Sequence, residues 1–457
     1  ATIAGRITRD RNWSIRARRV SDDELGAMTR AFNTMLAQLE EGFWPAFGRL
    51  IDATRDGHAQ RPIVGGVSGL ASGACLQLGE ADLLPGAPSR PMVFRSSGEH
   101  PAGLEPGDVL TTVEGEPLEA FLERRRDDLV FSGDPRIRDV AVAPQLGPLA
   151  AREGLTLGLQ RCDAGGACSA VEVDYAALAE PLWRGELPDW ARPEVPCDPR
   201  FDQSGDVSDI AASDHVDVIQ QDGVTRLRIN ATTGPNFGDF SGWTSEVDAA
   251  FATSPGAMVL DQRRGDGGSF LGLFYLARHF FFEGDTPISV VVPWLFRTPN
   301  EQALLGQLAT CARTSPSAAF NCGGAQWITA QAVAPNVPGA GAAANAKGAI
   351  LTGLNVSGND WLTDFLRRRR GNTRVFGPAP TFGAFGEVVG LPAHDLGFFG
   401  PRIQLTGGIV ATGALDPLTT FLDGDGVEPD VVVLQKQSDT LLGVDTQLRE
   451  AQAWLAE

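Results

Sequence analysis

The chain has 457 residues, of which 43% are hydrophobic, and this is enough for two or three domains with buried cores. Its formal net charge is −19 at pH 7. A chain this acidic lacks the basic surface that binding to a phosphate backbone requires. We therefore do not expect a nucleic-acid partner. No apolar run in the sequence reaches the length of a membrane-spanning helix.

Residues 1–40 predict a helix that pairs with another helix. Ser21 and Glu24 form a capping box. The apolar residues after it recur at spacings of three and four, as in a coiled coil: Leu25, Met28, Phe32, Met35 and Leu39. This stretch resembles the second half of a HAMP domain, which implies a dimer through the helix and a membrane tether upstream of Ala1. An ordinary amphipathic helix packed on the next domain is the alternative.

Residues 41–90 predict a helix over 43–55, followed by irregular Gly-rich chain, and form the helical N-terminal part of the following fold. Residues 91–175 predict a β-rich module. Its clearest phrases are residues 102–110, with a Gly-Asp turn that begins a strand, and residues 113–118, with a tight Glu-Gly turn that precedes a helix starting near Leu118. They resemble a PDZ domain, which binds chain ends by adding a strand to a sheet edge. A generic β-hairpin would give part of the same pattern.

Residues 176–214 are rich in Pro and Asp and predict a linker. Residues 215–457 alternate between apolar strands and helices, which predicts an α/β fold with a largely parallel or mixed sheet. The predicted strands are 224–229, 257–261 and 349–356, and the predicted helices are 243–253, 270–281 and 361–370.

The six cysteines favour disulfides over a metal site, because none has the spacing of a zinc ligand set. Two close pairs bracket turn-rich stretches, and the third pair follows by elimination. The predicted bonds are Cys162–Cys168, Cys311–Cys322 and Cys75–Cys197. Disulfides predict an extracytoplasmic location, periplasmic or secreted, in a bacterium, with any export signal removed or upstream. Six buried free thiols are the alternative.

Two junctions between a strand and a helix are candidate sites. Residues 261–269 are Gly-rich, so the backbone there can approach a ligand and present N–H groups. At the second junction Ser357 ends an apolar strand and Gly358 precedes a helix. A serine at such an elbow is a favourable nucleophile, because backbone N–H groups and the helix dipole stabilise an oxyanion. A helix cap is the plainer interpretation of Ser357.

Four phrases in order resemble those of the C-terminal processing (tail-specific) and tricorn-type serine peptidases. They are Asp261-Gln262-Arg263 with Gly267-Gly268, Ser357 with Asp360, Gly377 with Thr381-Phe382-Gly383, and Gly426-Val427-Glu428-Pro429-Asp430. The resemblance implies a mixed-sheet α/β core of the ClpP/crotonase type with an inserted PDZ-like domain. It also implies a polypeptide substrate and chemistry without a cofactor or metal.

The resemblance leaves two designs for the catalytic base. Ala384 stands where one design has a lysine, whereas Asp56-Gly57-His58 resembles the histidine phrase of the tricorn-type design. The resemblance then implies a triad of Ser357, His58 and Asp423. The oxyanion would be held by the N–H groups of Gly358 and of Gly267 or Gly268.

The sequence also departs from the family pattern. The usual Asn of the first phrase is absent, an arginine run at 367–370 lengthens the nucleophile helix, and Asp423 stands where Glu is more usual. Two alternatives to the serine endopeptidase therefore remain. One is an inactive peptide-binding or scaffold relative, and the other is a HAMP-linked signalling component.

Overall fold

The computed structural model describes a large part of the chain beyond residue 71. The described residues are 72–86, 89–96, 99–125, 129, 135–182, 216–221, 224–229, 240–252, 255–263, 275–280, 288–293, 321–322, 327–332, 341–354, 358–369, 372–383, 387–391, 403–408, 411–412 and 426–457. The HAMP-like segment 1–40 and the predicted helix 43–55 lie outside them. Most of the predicted linker does so too.

Strands and helices share the described chain. The strands are β1 (Ala74–Glu80), β2 (Arg90–Ser96), β3 (Val109–Val113), β4 (Glu116–Pro117), β5 (Thr156–Cys162), β6 (Cys168–Asp174), β7 (Val216–Gln221), β8 (Val224–Ile229), β9 (Ala257–Asp261), β10 (Ile288–Pro293), β11 (Asn321–Cys322), β12 (Trp327–Ala332), β13 (Lys347–Leu351), β14 (Thr373–Gly377), β15 (Glu387–Leu391), β16 (Ile403–Gly408), β17 (Ala411–Thr412), β18 (Val431–Val432) and β19 (Gln435–Lys436). The helices are α1 (Leu118–Arg124), α2 (Pro135–Glu153), α3 (Tyr175–Leu182), α4 (Phe240–Phe251), α5 (Gly358–Arg369), α6 (Gln437–Leu441) and α7 (Thr446–Ala456).

The first sheet has the strand order β19-β1-β2-β3-β5-β6, with β4 paired to β3. Its strands are antiparallel except for the parallel pair of β1 and β19. Apolar residues of α1 and α2 pack with those of the strands in one buried cluster, which includes Leu118, Phe121 and Leu146. The sheet thus gains a core on the side that these helices cover.

The second sheet has the order β18-β14-β13-β9-β8-β7, and all its pairs are parallel except β7 with β8. Along β9, Met258 and Leu260 join a cluster with α4 and α5, whereas Val259 joins a cluster with α7. Successive side chains of a strand point to opposite faces, so helices bury both faces of this sheet. This explains why its central strands are almost wholly apolar.

Helix α2 joins the two sheets. Its residues Ile137, Val140 and Ala141 form a buried cluster with Leu354 and Ala379, which follow β13 and β14. Leu78 of β1 and Phe382 pack against the same cluster. The first sheet is therefore packed against the carboxyl edge of the second one.

Two smaller sheets complete the described structure, with the strand orders β11-β12-β10-β17 and β15-β16. None of the helices in the described residues is both long and apolar enough to cross a membrane.

The α/β fold class with a mixed sheet is confirmed. The predicted strands 224–229 and 257–261 have the observed bounds of β8 and β9. The predicted strand 349–356 is β13, which already ends at Leu351, and the helices 243–253 and 361–370 are α4 and α5, which begin earlier. Of the predicted helix 270–281, the structure describes only residues 275–280, which end in a 3-10 turn at Arg278–Phe280.

The structure differs from the predicted organisation in three places. Residues 74–80 lie in the stretch predicted as irregular Gly-rich chain but form β1, because they pair with β2 of the first sheet. The predicted linker 176–214 begins inside α3, whose first residue Tyr175 is fully buried against the first sheet. The module predicted over 91–175 also contains the 19-residue helix α2 in addition to its strands.

The Cys162–Cys168 disulfide is confirmed and closes the hairpin of β5 and β6. Cys75 is also disulfide-bonded. Its predicted partner Cys197 lies outside the described residues, as does Cys311, so these two pairings stay predictions.

Candidate active site

The candidate site lies at the carboxyl ends of three neighbouring parallel strands. Leu351 of β13 pairs with Asp261 of β9 on one side and with Phe376 of β14 on the other. The chain therefore leaves all three strands at the same edge of the second sheet. In open α/β sheets this edge is where ligands bind, because the connections to helices leave a crevice there.

Asp261 is fixed at this edge by two arginines. Arg226 of β8 and Arg263 both donate to its carboxylate, at 2.6 and 2.8 Å for the shortest contacts, and the carboxylate is almost fully buried. Burial by itself would raise the pKa of Asp261, but the charges and hydrogen bonds of the two guanidinium groups outweigh it and hold the pKa well below its ordinary value. Asp261 is thus a permanent anion and an unsuitable proton acceptor.

Gln262 connects β9 to helix α5. Its backbone N–H donates to the carbonyl of Leu351 at 3.0 Å, and its Nε2 donates to Oγ1 of Thr363 at 3.2 Å. Thr363 in turn donates to the carbonyl of Asn359 at 2.9 Å. The buried amide of Gln262 therefore has a polar partner on helix α5.

Residues 358–366 of helix α5 are all buried. Gly358 is its first residue, and Asn359, Asp360 and Thr363 have no exposed surface. Within the described residues, neither Nδ2 nor Oδ1 of Asn359 has a hydrogen-bond partner. The first turn of α5 therefore presents a buried polar end at the position that follows Ser357 in the chain.

The third and fourth phrases pack against each other. Thr381 exchanges hydrogen bonds with Val427, since its N–H donates to the Val427 carbonyl and its Oγ1 accepts from the Val427 N–H. Asp430 accepts from the N–H of Val375 at 2.8 Å and from Arg367 of α5 at 3.1 Å. The first residue of the arginine run thus joins helix α5 to the fourth phrase.

Of the predicted site residues, the structure describes Gly358, which it places at the start of α5. Ser357, His58, Asp423, Gly267 and Gly268 lie outside the described residues, so their roles stay predictions.

Sequence reasoning missed two residues that hold the site together. Arg226 and Asp445 are separated from their partners Asp261 and Arg263 by 35 and 182 residues. Spacing over such distances gives no signal in a single sequence.

Two other side chains that could act as a base, those of Lys347 and His279, make structural contacts away from the site. Lys347 lies at the start of β13, at the opposite end from the site, where its Nζ donates to the carbonyl of Trp454. Buried His279 contacts Asp248 at 3.3 Å and stacks on Phe251. Neither lies at the carboxyl edge of the second sheet.

His100 belongs to the first sheet and is nearly fully buried. Its Nδ1 accepts from the N–H of Ala102, so its Nε2 carries the proton and donates to the carbonyl of Ser72, both at 3.2 Å. Burial lowers the pKa of His100 despite the hydrogen bond to Ser72, so the ring is neutral at pH 7. Both nitrogens are engaged, and we interpret His100 as structural.

The described part of the chain contains no group of three or more His, Cys, Asp or Glu side chains arranged to hold a metal ion.

Comparison with known proteins gives a likeness of fold. No protein-family model and no curated protein matches the chain. Among solved structures, the chain is similar to mature CPAF complexed with lactacystin, with a TM-score of 0.56 and 15% identity over 95% of this chain and 91% of that one. Mature CPAF and its s499a mutant each give a TM-score of 0.54 and 14% identity over 95% of this chain and 90% of theirs. The mixed α/β fold is therefore similar to that of CPAF over nearly the whole chain.

Proposed function

We propose that this chain is a serine endopeptidase of the tail-specific and tricorn-like type. One observation carries the proposal: around the carboxyl edge of the second sheet, the first and fourth phrases contact helix α5, which follows Ser357 in the chain, and the third phrase contacts the fourth. Gln262 of the first phrase bonds to α5, Arg367 of α5 to Asp430 of the fourth, and Thr381 of the third to Val427 of the fourth. Phrases that only resembled a family by chance would have no reason to meet in the fold.

The fold comparison supports the same proposal. The related fold of CPAF has been solved with lactacystin bound. We infer from this that a fold of this architecture can bind a ligand such as lactacystin, and that the present chain has the framework for a comparable site.

In the proposed reaction, Ser357 Oγ attacks the carbonyl carbon of a peptide bond while His58 takes the hydroxyl proton. The tetrahedral oxyanion would accept from the N–H of Gly358 and from that of Gly267 or Gly268, next to the positive end of the α5 dipole. Collapse of this intermediate expels the amine, which takes the proton from His58 and leaves an acyl-enzyme. Water then attacks the acyl carbon while His58 takes a proton from it. His58 returns this proton to Ser357 Oγ as the second product leaves.

Asp423 would accept from the far nitrogen of His58 and stabilise the imidazolium. Lys347 is disfavoured as the base, because its Nζ is bound to the carbonyl of Trp454 at the amino end of β13.

The first sheet is proposed to bind a polypeptide end by strand addition, as PDZ domains do. Strand β19 of the same chain already pairs with Gly79 and Glu80 of β1. We therefore expect a captured peptide to use the edge of β1 before Gly79, and not the part that β19 covers.

An extracytoplasmic location is also proposed. The Cys162–Cys168 bond and the disulfide-bonded Cys75 support it, since disulfides persist in oxidising compartments. The upstream membrane tether and the dimer through residues 1–40 rest on sequence resemblance.

Labelling with a fluorophosphonate tests the nucleophile. We expect the wild-type chain to be labelled once, at Ser357, and the Ser357→Ala variant to be unlabelled. The Ser438→Ala variant is the matched control, because Ser438 lies in α6 and bonds to Asp82 of the first sheet. A wild-type chain that stays unlabelled would favour the inactive scaffold.

The same assay tests the base. His58→Ala should slow labelling by several powers of ten, because the members of a triad act as a unit. For the wild type, the labelling rate should fall in acid as the imidazole protonates, near its ordinary pKa of about 6.5. Undiminished labelling of His58→Ala would require another base.

A further inference from the structure

The buried ion-pair network below the candidate site extends into the last helix of the chain. Arg263 has no exposed side-chain surface and donates to two carboxylates, each through two nitrogens. Its Nε and Nη2 contact Asp261 at 2.9 and 2.8 Å, and its Nη1 and Nη2 contact Asp445 at 2.8 and 2.6 Å. Two bidentate partners fix both the position and the plane of a guanidinium.

Asp445 is itself held firmly. It is the N-cap of α7, where its Oδ1 accepts from the N–H of Leu448 at 3.0 Å, and its side chain is 8% exposed. Two residues later, Gln447 donates to the carbonyls of Thr352 and Phe376 at 2.9 and 2.6 Å. The start of α7 therefore contacts the chain at the ends of β9, β13 and β14 together.

Arg263 lies two residues after the end of β9 and four residues before Gly267 in the chain. Its side chain therefore anchors the chain where it leaves the carboxyl end of β9. We propose that Asp445 is a positioning residue that acts through Arg263 on this carboxyl end of β9, at the edge of the proposed active site. This inference rests on the proposed peptidase function and assigns to the C-terminal helix a part in catalysis.

The electrostatic balance supports a fixed arrangement. Burial would lower the pKa of Arg263, but Asp261 and Asp445 raise it well above its ordinary value, so the guanidinium stays charged. With Arg226 the network contains two positive and two negative groups, all mostly buried. Removal of the Asp445 charge leaves Arg263 with one carboxylate and permits its guanidinium to rotate.

Asp445→Asn tests the proposal, because asparagine keeps the helix cap and removes only the charge. We expect the maximal rate of fluorophosphonate labelling at Ser357 to fall at least tenfold, since the phosphoryl oxygen occupies the oxyanion site. The probe concentration that gives half the maximal rate should change less than twofold. For hydrolysis of unfolded casein, we likewise expect kcat to fall at least tenfold and KM to change less than twofold.

Asp439→Asn is the matched control. Asp439 lies in the same C-terminal segment and is similarly buried, and its carboxylate accepts from Arg449 and Thr446 of that segment. It should lower the temperature of unfolding without slowing labelling. Equal slowing by both variants would reduce Asp445 to a stabilising residue and overturn the proposal.

Asp445→Glu covers the case in which Asp445→Asn does not fold. It keeps the charge but shifts the carboxylate by one methylene, so we expect slower labelling in a folded chain. Wild-type rates in either folded variant would contradict the positioning role. Failure of the proposed function looks different, because the wild-type chain itself would then not be labelled.

Discussion

At the scale of single residues, Gly426 is required by two independent features of the crossing between the third and fourth phrases. Its φ angle is +65°, in the left-handed region, and an added Cβ would lie 2.1 Å from the carbonyl oxygen of Thr381. The second feature is a clash with backbone, which cannot move as a flexible side chain does. Any side chain at this position would therefore separate the two phrases.

We predict that Gly426→Ala lowers the free energy of unfolding by roughly 2–4 kcal/mol, because strain at positive φ and overpacking add together. Gly443→Ala is the matched control: its φ is +66°, but an added Cβ would meet nothing within 4 Å. It should cost only about 1 kcal/mol. Urea denaturation measures the free energy of unfolding of both variants. Equal decreases would show that the backbone at Thr381 moves away from the added Cβ at little energetic cost.

At the scale of elements, the fourth phrase fastens β14 and α5 together through Asp430. The carboxylate accepts from the N–H of Val375 in β14 and from Arg367 in α5, while the Asp430 N–H donates to the Val375 carbonyl. Arginine at 367 departs from the family pattern, yet it has a partner in this fold. This contact holds the C-terminal part of α5 against the fourth phrase.

The two partners of Asp430 should contribute unequally. Asp430→Ala should cost about 1–3 kcal/mol, because it leaves the backbone N–H of Val375 without its acceptor. Arg367→Ala should cost at most about 1 kcal/mol, since the ion pair is partly exposed and water screens it. Thermal unfolding of both variants shows which one loses more stability. A larger loss of stability in Arg367→Ala would mean that the ion pair contributes more than the hydrogen bond to Val375.

At the scale of the whole molecule, two regions join the sheets. Helix α2 packs against the ends of β13 and β14 and forms a bidentate ion pair from Arg136 to Glu428. The C-terminal residues add β19 to the first sheet, donate from Gln437 to the carbonyl of Gly107, and place α7 on the second sheet. The candidate peptide-binding sheet and the sheet that carries the candidate active site are therefore joined by direct packing, ion-pair and hydrogen-bond contacts.

Ile137→Ala tests this link, because Ile137 is fully buried between residues of both sheets. The change should cost about 2–4 kcal/mol and lower hydrogen-exchange protection in β1–β2 and in β13–β14 together. Leu149→Ala is the control, since Leu149 belongs to the cluster of the first sheet. If Ile137→Ala lowered protection only in the first sheet, the two sheets would be independent units.

The sequence alone was sufficient for features that depend on near neighbours. The strands β8 and β9 follow from short apolar runs, and the Cys162–Cys168 bond follows from a turn between two strand-like segments. A helix is predicted shortly after Gly358, over 361–370, and α5 is found there, although it already begins at Gly358. These predictions succeed because hydrophobic periodicity and turn chemistry are local properties.

Only the tertiary structure decided which distant residues meet. Asp445 reaches Arg263 across 182 residues, Gln437 reaches Gly107 across 330, and Arg136 reaches Glu428 across 292. Strand β1 was missed for a related reason, because its identity depends on pairing with β2 and β19 and its flanks are Gly-rich. Burial and charge pairing of this kind arise when the chain folds back on itself, and no spacing along one sequence encodes them.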